Sequence, residues 1–189
     1  MTEQELLVDC VQRLNGANIA YFLTGSMASN YWGIPRTTHD IDFVIQLPPR
    51  SIPALLAAFA SDFYLDEDSV RSAYQPPHQF NAIDLRSSLK VDFWLLKPAA
   101  FDRQMFERRK AVLLFSTPAF IASAEDVILH KLLWNRITPS ERQLSDATGV
   151  LAIQGAALER GYLQQWADEL KLSEDLAKLL EGKIKPKET

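Results

Sequence analysis

The sequence predicts an α/β (α+β) fold, in which a mixed β-sheet flanked by helices is followed by a C-terminal helical half. Three observations carry this prediction. Short apolar runs alternate with amphipathic segments up to about residue 118. Beyond Ser123 the apolar residues recur at helical spacing only. The chain has 189 residues, of which 47% are apolar and 23% charged, the composition of a globular protein with a substantial core.

The first helix is predicted to begin at a capping box formed by Thr2 and Glu5, and its apolar positions continue to about Gly16. A buried strand follows and ends at Gly25, where a short helix begins. A second strand starts at Asp40 and is stopped by two consecutive prolines. Near Ser51 an amphipathic helix begins.

The middle of the chain predicts a further helix at 66–74 and two strands joined by a polar turn. These strands, at 78–85 and 89–96, are expected to form an antiparallel hairpin. A helix with a basic carboxyl-terminal end covers 99–110, where the positive charge suits the helix dipole. One more strand is predicted to end at Pro118.

The prediction for domain organisation has three parts. Residues 1–118 form the α/β core, and residues 119–183 form a C-terminal helical region that completes the cleft. Residues 184–189 form a flexible, basic tail. Capping and apolar spacing predict the helices of the second part. They lie at 123–136, 145–156, 160–170 and 173–180.

Composition excludes several classes of protein. Because 20 Lys and Arg face 24 Asp and Glu, the formal net charge is −4 and a uniformly basic nucleic-acid-binding surface is excluded. The single cysteine excludes an internal disulfide and paired CxxC zinc sites. No run of about 18 apolar residues occurs, and the acidic N-terminus lacks the basic segment of a signal peptide. We therefore expect a cytoplasmic protein with no membrane partner.

The most informative motif is Gly25-Ser26, followed by thirteen intervening residues and then by Asp40-Ile41-Asp42. A glycine at the end of a strand lets the backbone approach a bound group, and the start of the next helix favours an anion such as phosphate. Asp40 and Asp42, two positions apart on a strand, project from one face. Their oxygen atoms suit Mg²⁺, whose remaining positions hold water and substrate phosphates. The motif therefore predicts a metal–nucleotide site.

Nucleotidyl transfer at such a site needs a third carboxylate. Asp92 is the first candidate because it is an acid embedded in an apolar strand, where an unpaired charge is unfavourable. An ion pair with Lys90 or an arginine is the structural alternative, and Asp84 is the nearest rival.

These motifs carry a resemblance to a known family. The stretch LTGSMASNYWGIPRTTHDIDFVI resembles the signature of the DNA polymerase β-like nucleotidyltransferase superfamily. The later stretch SAEDVILHKLLWNRITPSERQLSDATGVL resembles the Lys-Leu, Arg and Asp region of the AbiEii/AbiGii-type toxin branch. The resemblance covers residues 17–46 and 118–152, with the hairpin that contains Asp92 fitting in position.

The resemblance implies a nucleotidyltransferase-like sheet and two Mg²⁺ ions held by Asp40, Asp42 and Asp92. Asp92 would also help to deprotonate the acceptor hydroxyl. It further implies that the nucleotide phosphates are bound by Gly25, Ser26, Arg36 and Lys131. The roles of Arg136, Arg142 and Asp146 stay open on sequence alone.

The implied reaction moves a nucleoside monophosphate from an NTP to a hydroxyl of RNA, such as tRNA, or of a protein. The AbiEii resemblance implies a toxin-antitoxin type toxin with an antitoxin protein as partner. Two alternatives remain open at this point. One is an antitoxin-type or small-molecule nucleotidyltransferase of the same fold, and the other is a catalytically silent binding module.

Overall fold

The computed structural model describes residues 1–184, so all but the first residue of the predicted flexible tail, 184–189, lie outside the described residues. Contacts divide the chain into two compact units. The first comprises Met1–Thr24 and Thr38–Ile121, and the second comprises Gly25–Thr37 and the chain from Ala122 onward. Within the described part, every helix is too short or too polar to cross a bilayer.

The elements follow one another along the chain with short connections. In chain order they are α1 (Glu3–Gly16), β1 (Ala20–Thr24), α2 (Gly25–Trp32), β2 (Ile41–Gln46), a 3-10 turn (Pro49–Ser51), α3 (Ile52–Phe59), β3 (Phe63–Tyr64), α4 (Glu67–Ser72), β4 (Gln79–Asp84), β5 (Lys90–Leu95), α5 (Ala100–Arg108), β6 (Lys110–Leu114), β7 (Thr117–Ile121), α6 (Ala124–Ile137), α7 (Glu141–Gln154), α8 (Arg160–Glu169) and α9 (Ser173–Leu180).

The first unit is built on a seven-stranded mixed sheet with the strand order β3-β4-β5-β2-β1-β7-β6. The pairs β1/β7 and β2/β5 are parallel, and the remaining neighbours are antiparallel. The predicted mixed sheet flanked by helices is confirmed, as is the antiparallel hairpin of β4 and β5. The capping box at Thr2 and Glu5 is also present.

Alternation along β2 and β5 separates the core from the polar face of the sheet. Phe43 and Phe93 are fully buried and stack with their ring centroids 5.8 Å apart. Phe59 of α3 packs edge-on against Phe93 at 5.5 Å. Because successive side chains of a strand point to opposite faces, this aromatic core directs Asp42 and Asp92 to the other face.

The prediction that a strand ends at Pro118 is wrong, because Pro118 lies inside β7 and pairs with Leu113 of β6. Proline lacks an amide donor and is tolerated near the start of a strand or at an unpaired edge. Pro118 is the second residue of β7, so it lies near the start of the strand. It is also unpaired on the side of β1, because β7 bridges β1 only at Ile121. The Pro118 carbonyl accepts a hydrogen bond from Asn15 Nδ2 at 3.0 Å. β7 therefore lies between β1 and β6 as a strand that the apolar pattern does not predict.

The second unit consists of helices, with α2 packed against α6 and α7. Gly33, directly after α2, makes this packing close. A Cβ atom there would lie 2.7 Å from the Val150 nitrogen and 2.8 Å from the Gly149 carbonyl carbon, both backbone atoms of α7. Since α7 begins at Glu141, its predicted start at Ser145 is wrong by four residues.

We expect Gly33→Ala to lower the free energy of unfolding by about 1–3 kcal/mol, because the added methyl group forces two helix backbones apart. The matched control is Gly161→Ala in α8, where no atom lies within 4 Å of the added Cβ. That control should leave the stability unchanged or slightly higher. Urea unfolding of both variants measures the difference, and equal stabilities would contradict close α2–α7 packing.

Candidate functional site

A row of four polar residues crosses the centre of the sheet. The strand registers pair Thr24 of β1 with Asp42 of β2, Asp42 with Asp92 of β5, and Asp92 with Asn81 of β4. Neighbouring strands are about 4.8 Å apart, so Asp42 and Asp92 stand side by side. The indole Nε1 of Trp94 also lies 3.4 Å from Asp42 Oδ1. The parallel pairing of β2 and β5 therefore brings together two of the three predicted carboxylates.

Lys90 lies beside this polar row and forms an ion pair with one of its members, Asp92. Its ammonium lies 2.8 Å from Asp92 Oδ2. The hydrogen bond and charge of Asp92, together with the charges of Asp40 and Asp42, raise the pKa of Lys90, while burial opposes the shift. Asp40 is exposed and directly precedes β2. The negative charges of all three predicted carboxylates therefore stabilise the charged form of one ammonium group, that of Lys90.

The residues of this row fit a hard divalent cation. Asp92 is buried, and its Oδ1 has no hydrogen-bond partner within residues 1–184. A buried carboxylate oxygen without a donor is unfavourable unless another group binds it. No set of three or more His, Cys, Asp or Glu side chains in the described residues is already arranged to hold a metal. The candidate metal ligands are thus the carboxylates of Asp42 and Asp92, including the unsatisfied Oδ1 of Asp92. Lys90 is the counter-ion of Asp92 in this structure.

Asp84, the rival third carboxylate, has a structural role. It is fully buried at the end of β4, and Arg86 Nε and the Ser87 hydroxyl both donate to it at 2.6 Å. The Ser87 backbone amide donates at 2.9 Å. These bonds close the turn between β4 and β5, so Asp84 lies in the hairpin and not in the polar row.

A second cluster of charges lies within the helical unit. Arg36 Nε and Nη2 form a bidentate pair with Asp146 at 2.7 and 2.9 Å, and Lys131 Nζ contacts the same carboxylate at 2.8 Å. The side chains of Asp146 and Lys131 are 3% and 8% exposed, and that of Arg36 is 30% exposed. Although burial opposes ionisation of Asp146, the bonds and charges of Arg36 and Lys131 lower its pKa below the usual range.

The Gly25-Ser26 turn joins this cluster through Arg36. Arg36 Nη2 donates to the Ser26 hydroxyl at 2.8 Å. Asn30 fixes the arginine backbone, since its Nδ2 donates to the Arg36 carbonyl and its Oδ1 accepts from the Arg36 amide. Gly25 begins α2 with a φ of 62°, a conformation that glycine adopts without strain. All four predicted phosphate-binding residues thus lie in one unit. Arg36 contacts Ser26 directly, and Lys131 is linked to Arg36 through Asp146.

Sequence alone leaves the role of Asp146 open. Asp146 lies 110 residues from Arg36 in the sequence, so only the fold reveals the pair. Arg142 is exposed on α7, and Arg136 donates to the Lys171 carbonyl near the end of α6. Asn81 is a neighbour of Asp92 that the sequence does not predict. The ion pair with Lys90, given above as the structural alternative for Asp92, is present, since Lys90 precedes Asp92 by two positions and shares its face of the strand.

No family model matches the chain, and no curated protein matches it in sequence. Solved structures do match. An antigenic nucleotidyltransferase-like protein from Paracoccidioides brasiliensis has 18% identity and a TM-score of 0.57, covering 95% of this chain and 92% of that one. ANT(2")-Ia in complex with adenylyl-2"-tobramycin has 13% identity and a TM-score of 0.60, covering 90% and 98%. The chain has a nucleotidyltransferase-like fold.

A solution structure of the antibiotic-resistance factor ANT(2'')-Ia also matches, with 13% identity, a TM-score of 0.56 and coverage of 87% and 93%. The nucleotidyltransferase-like fold confirms the coarser part of the predicted resemblance. At such low identity the comparison describes the fold alone. Any function must therefore rest on the polar row of the sheet and the charge cluster of the helical unit.

Proposed function

We propose that this protein is a metal-dependent nucleotidyltransferase that moves a nucleoside monophosphate from an NTP to a hydroxyl group. One observation carries the proposal. In a nucleotidyltransferase-like fold, two aspartates stand in register on neighbouring parallel strands, and one of them keeps a buried oxygen without a donor. That arrangement supports oxygen ligation of Mg²⁺.

The carboxylates have distinct roles in this proposal. Asp40, Asp42 and Asp92 hold Mg²⁺, with two ions expected, and bound Mg²⁺ supplies charge stabilisation for the attacking and leaving oxygens. Asp92 also accepts the proton of the acceptor hydroxyl, for which its buried position beside Asp42 suits it. Lys90 neutralises the same carboxylates before metal arrives.

Within the helical unit, the candidate phosphate-binding groups are those of the charge cluster around Asp146. Arg36 and Lys131 both contact Asp146, and the guanidinium and the ammonium are the donor groups that suit a nucleotide phosphate. Asp146 orients both cations, and the Ser26 hydroxyl adds a polar contact at the start of α2. Asp146 is therefore a positioning residue, which acts through its neighbours.

Incubation with each α-³²P-labelled NTP tests the proposal. The reaction contains Mg²⁺, total tRNA and cell lysate, and a parallel reaction carries γ-labelled NTP. We expect label from the α-position, and none from the γ-position, in one product, because attack at the α-phosphate releases pyrophosphate. The absence of α-label from every product with all four NTPs, using folded protein, would contradict the proposal.

Two versions of this function differ in the molecule that accepts the nucleotide: an RNA or protein in one, and a small molecule in the other. The resemblance of the Lys131 region to AbiEii-type toxins supports an RNA or protein acceptor and an antitoxin partner. The matched complex of ANT(2")-Ia holds an adenylyl-2"-tobramycin, and the chain covers 98% of that protein. This second observation supports a small hydroxyl-bearing acceptor. Adding a mixture of aminoglycosides to the labelling reaction distinguishes the two, since small products separate from RNA and protein on a gel.

Lys90→Met should strengthen Mg²⁺ or Mn²⁺ binding about fivefold, equivalent to about 1 kcal/mol. The reason is that a metal ion must displace the ammonium from Asp92 Oδ2, and half of the Lys90 side chain is exposed, which screens the pair. Isothermal titration calorimetry measures the change. Lys110→Met, on the edge strand β6, is the matched control and should bind metal as the wild type does. Weaker binding by Lys90→Met would mean that the lysine supports the metal site.

A further inference from the structure

A cavity of about 630 Å³ opens at the carboxyl ends of β2 and β5. Segments that follow both strands form its walls, together with the loop before β4 and part of α5. The polar row lies at the other end of the same strands. Asp42 and Gln46 are four residues apart on β2, so the cavity begins roughly 13 Å from the carboxylates. It is a site distinct from the candidate active site.

Three cationic side chains line this cavity, namely Arg50, Lys97 and Arg103, and none of its lining residues is acidic. None of the three forms an ion pair with any residue in 1–184. In contrast, Arg13 and Arg86 of the same unit are each held by carboxylates. The cavity therefore concentrates positive charge that the described chain does not neutralise by direct contact.

Two titratable groups complete the polar environment. His78 lines the cavity with a φ of 63°, and its Nδ1 lies 3.2 Å from the Ala73 carbonyl, so Nδ1 donates and Nε2 remains as the second polar atom. Asp102 is the carboxyl that interacts with Lys97 and His78. Burial raises the pKa of Asp102, while the positive charge of Lys97 opposes the shift.

The remaining wall is largely apolar and locally rigid. Tyr74 is fixed by its hydroxyl, which donates to the Leu47 carbonyl at 2.6 Å. The apolar lining residues are Leu47, Pro48, Pro49, Leu95, Leu96 and Pro98. A ligand for this cavity thus needs an apolar or ring-bearing body as well as negative charge.

We propose that this cavity binds a small organic phosphate, with its apolar body against the leucine and proline wall and its phosphate at Lys97 and Arg103. The volume lies within the range of small-molecule sites. A phosphate monoester carries close to two negative charges, and the planar guanidinium and the ammonium both suit its oxygens. The proposal rests on the cavity alone and holds whether or not the protein transfers nucleotides.

Titration of ¹⁵N-labelled protein with phenyl phosphate in EDTA tests the proposal by NMR. We expect the amide signals of His78, Leu96 and Lys97 to shift, with those of Asp42 and Asp92 unchanged. Benzyl alcohol carries only the ring, and inorganic phosphate carries only the charge. Each should bind at least about tenfold more weakly than phenyl phosphate, a difference of about 1.4 kcal/mol.

The double variant Lys97→Gln/Arg103→Gln should weaken phenyl phosphate binding at least about tenfold, because two charge-assisted contacts are lost. Lys110→Gln/Lys178→Gln, which removes two cations outside the cavity lining, is the control and should bind as the wild type does. The proposal is overturned by signals that do not shift at the cavity, by unchanged affinity in the Lys97/Arg103 variant, or by benzyl alcohol binding as tightly as phenyl phosphate.

Discussion

Replacing Asp42 or Asp92 by asparagine should reduce metal-dependent nucleotidyl transfer at least about a thousandfold, equivalent to about 4 kcal/mol of transition-state stabilisation. The amide keeps the shape of the side chain but loses the negative charge that the proposed Mg²⁺ site requires. The two residues are neighbours in the β2/β5 register, so either change removes one of the two adjacent carboxylates of the proposed site. Transfer of α-label to the acceptor measures the loss.

The fold should tolerate both substitutions, because the polar row lies on the face of the sheet opposite the phenylalanine core. Thermal unfolding checks this expectation. Asp68→Asn is the matched control, since Asp68 is an exposed aspartate in the first turn of α4. It should keep full transfer activity. Full activity in Asp92→Asn would show that this carboxylate holds no essential metal.

Asp146→Ala should lower the free energy of unfolding by about 3 kcal/mol. The substitution leaves the nearly buried Lys131 ammonium and the Arg36 guanidinium without their common counter-ion. This value is at the lower end of the free-energy cost of breaking a buried ion pair, because the Arg36 side chain is 30% exposed and water screens part of its charge. Urea unfolding measures the change. Glu174→Ala is the control, since it removes the exposed Glu174–Lys178 pair of the same unit and should alter stability by less than about 1 kcal/mol.

Lowering the pH should remove the contribution of the Asp146 charge to the stability of the wild-type protein. The pKa of Asp146 is lower in the folded state than in the unfolded chain. Its stabilising effect is therefore complete above the unfolded value of about 4 and is lost as the pH falls through the folded value. Below about pH 4 the stability of the wild type should fall more steeply with decreasing pH than that of Asp146→Ala. Parallel curves for the two proteins would mean that Asp146 does not stabilise the fold through its charge.

Local patterns are sufficient to select several residues of the candidate site. Asp92 stands out as an acid in an apolar strand, and the Gly25-Ser26 and Asp40-Ile41-Asp42 motifs are contiguous in sequence. Each of these signals depends on two or three neighbouring positions. The strands and helices that carry them follow from the same alternation and spacing, which is why β1, β2, β5 and α6 lie close to their predicted ranges.

Features that depend on register or on distant contacts could not be predicted. Asn81 faces Asp92 only because of the length of the turn between β4 and β5, and apolar patterning does not determine that length. The turn between β6 and β7 uses positive φ values at Phe115 and Ser116, where glycine or asparagine is the usual signal. β3 has two residues, too few to show alternation.

Titration with Mn²⁺, followed by the electron paramagnetic resonance signal of the free ion, tests the central claim without knowledge of the acceptor. Wild type and Asp68→Asn should bind Mn²⁺ with the same affinity, and Mg²⁺ should compete. Asp92→Asn should bind at least about tenfold more weakly, a difference of about 1.4 kcal/mol. Equal Mn²⁺ affinity in Asp92→Asn and wild type would contradict the assignment of the polar row as the metal site.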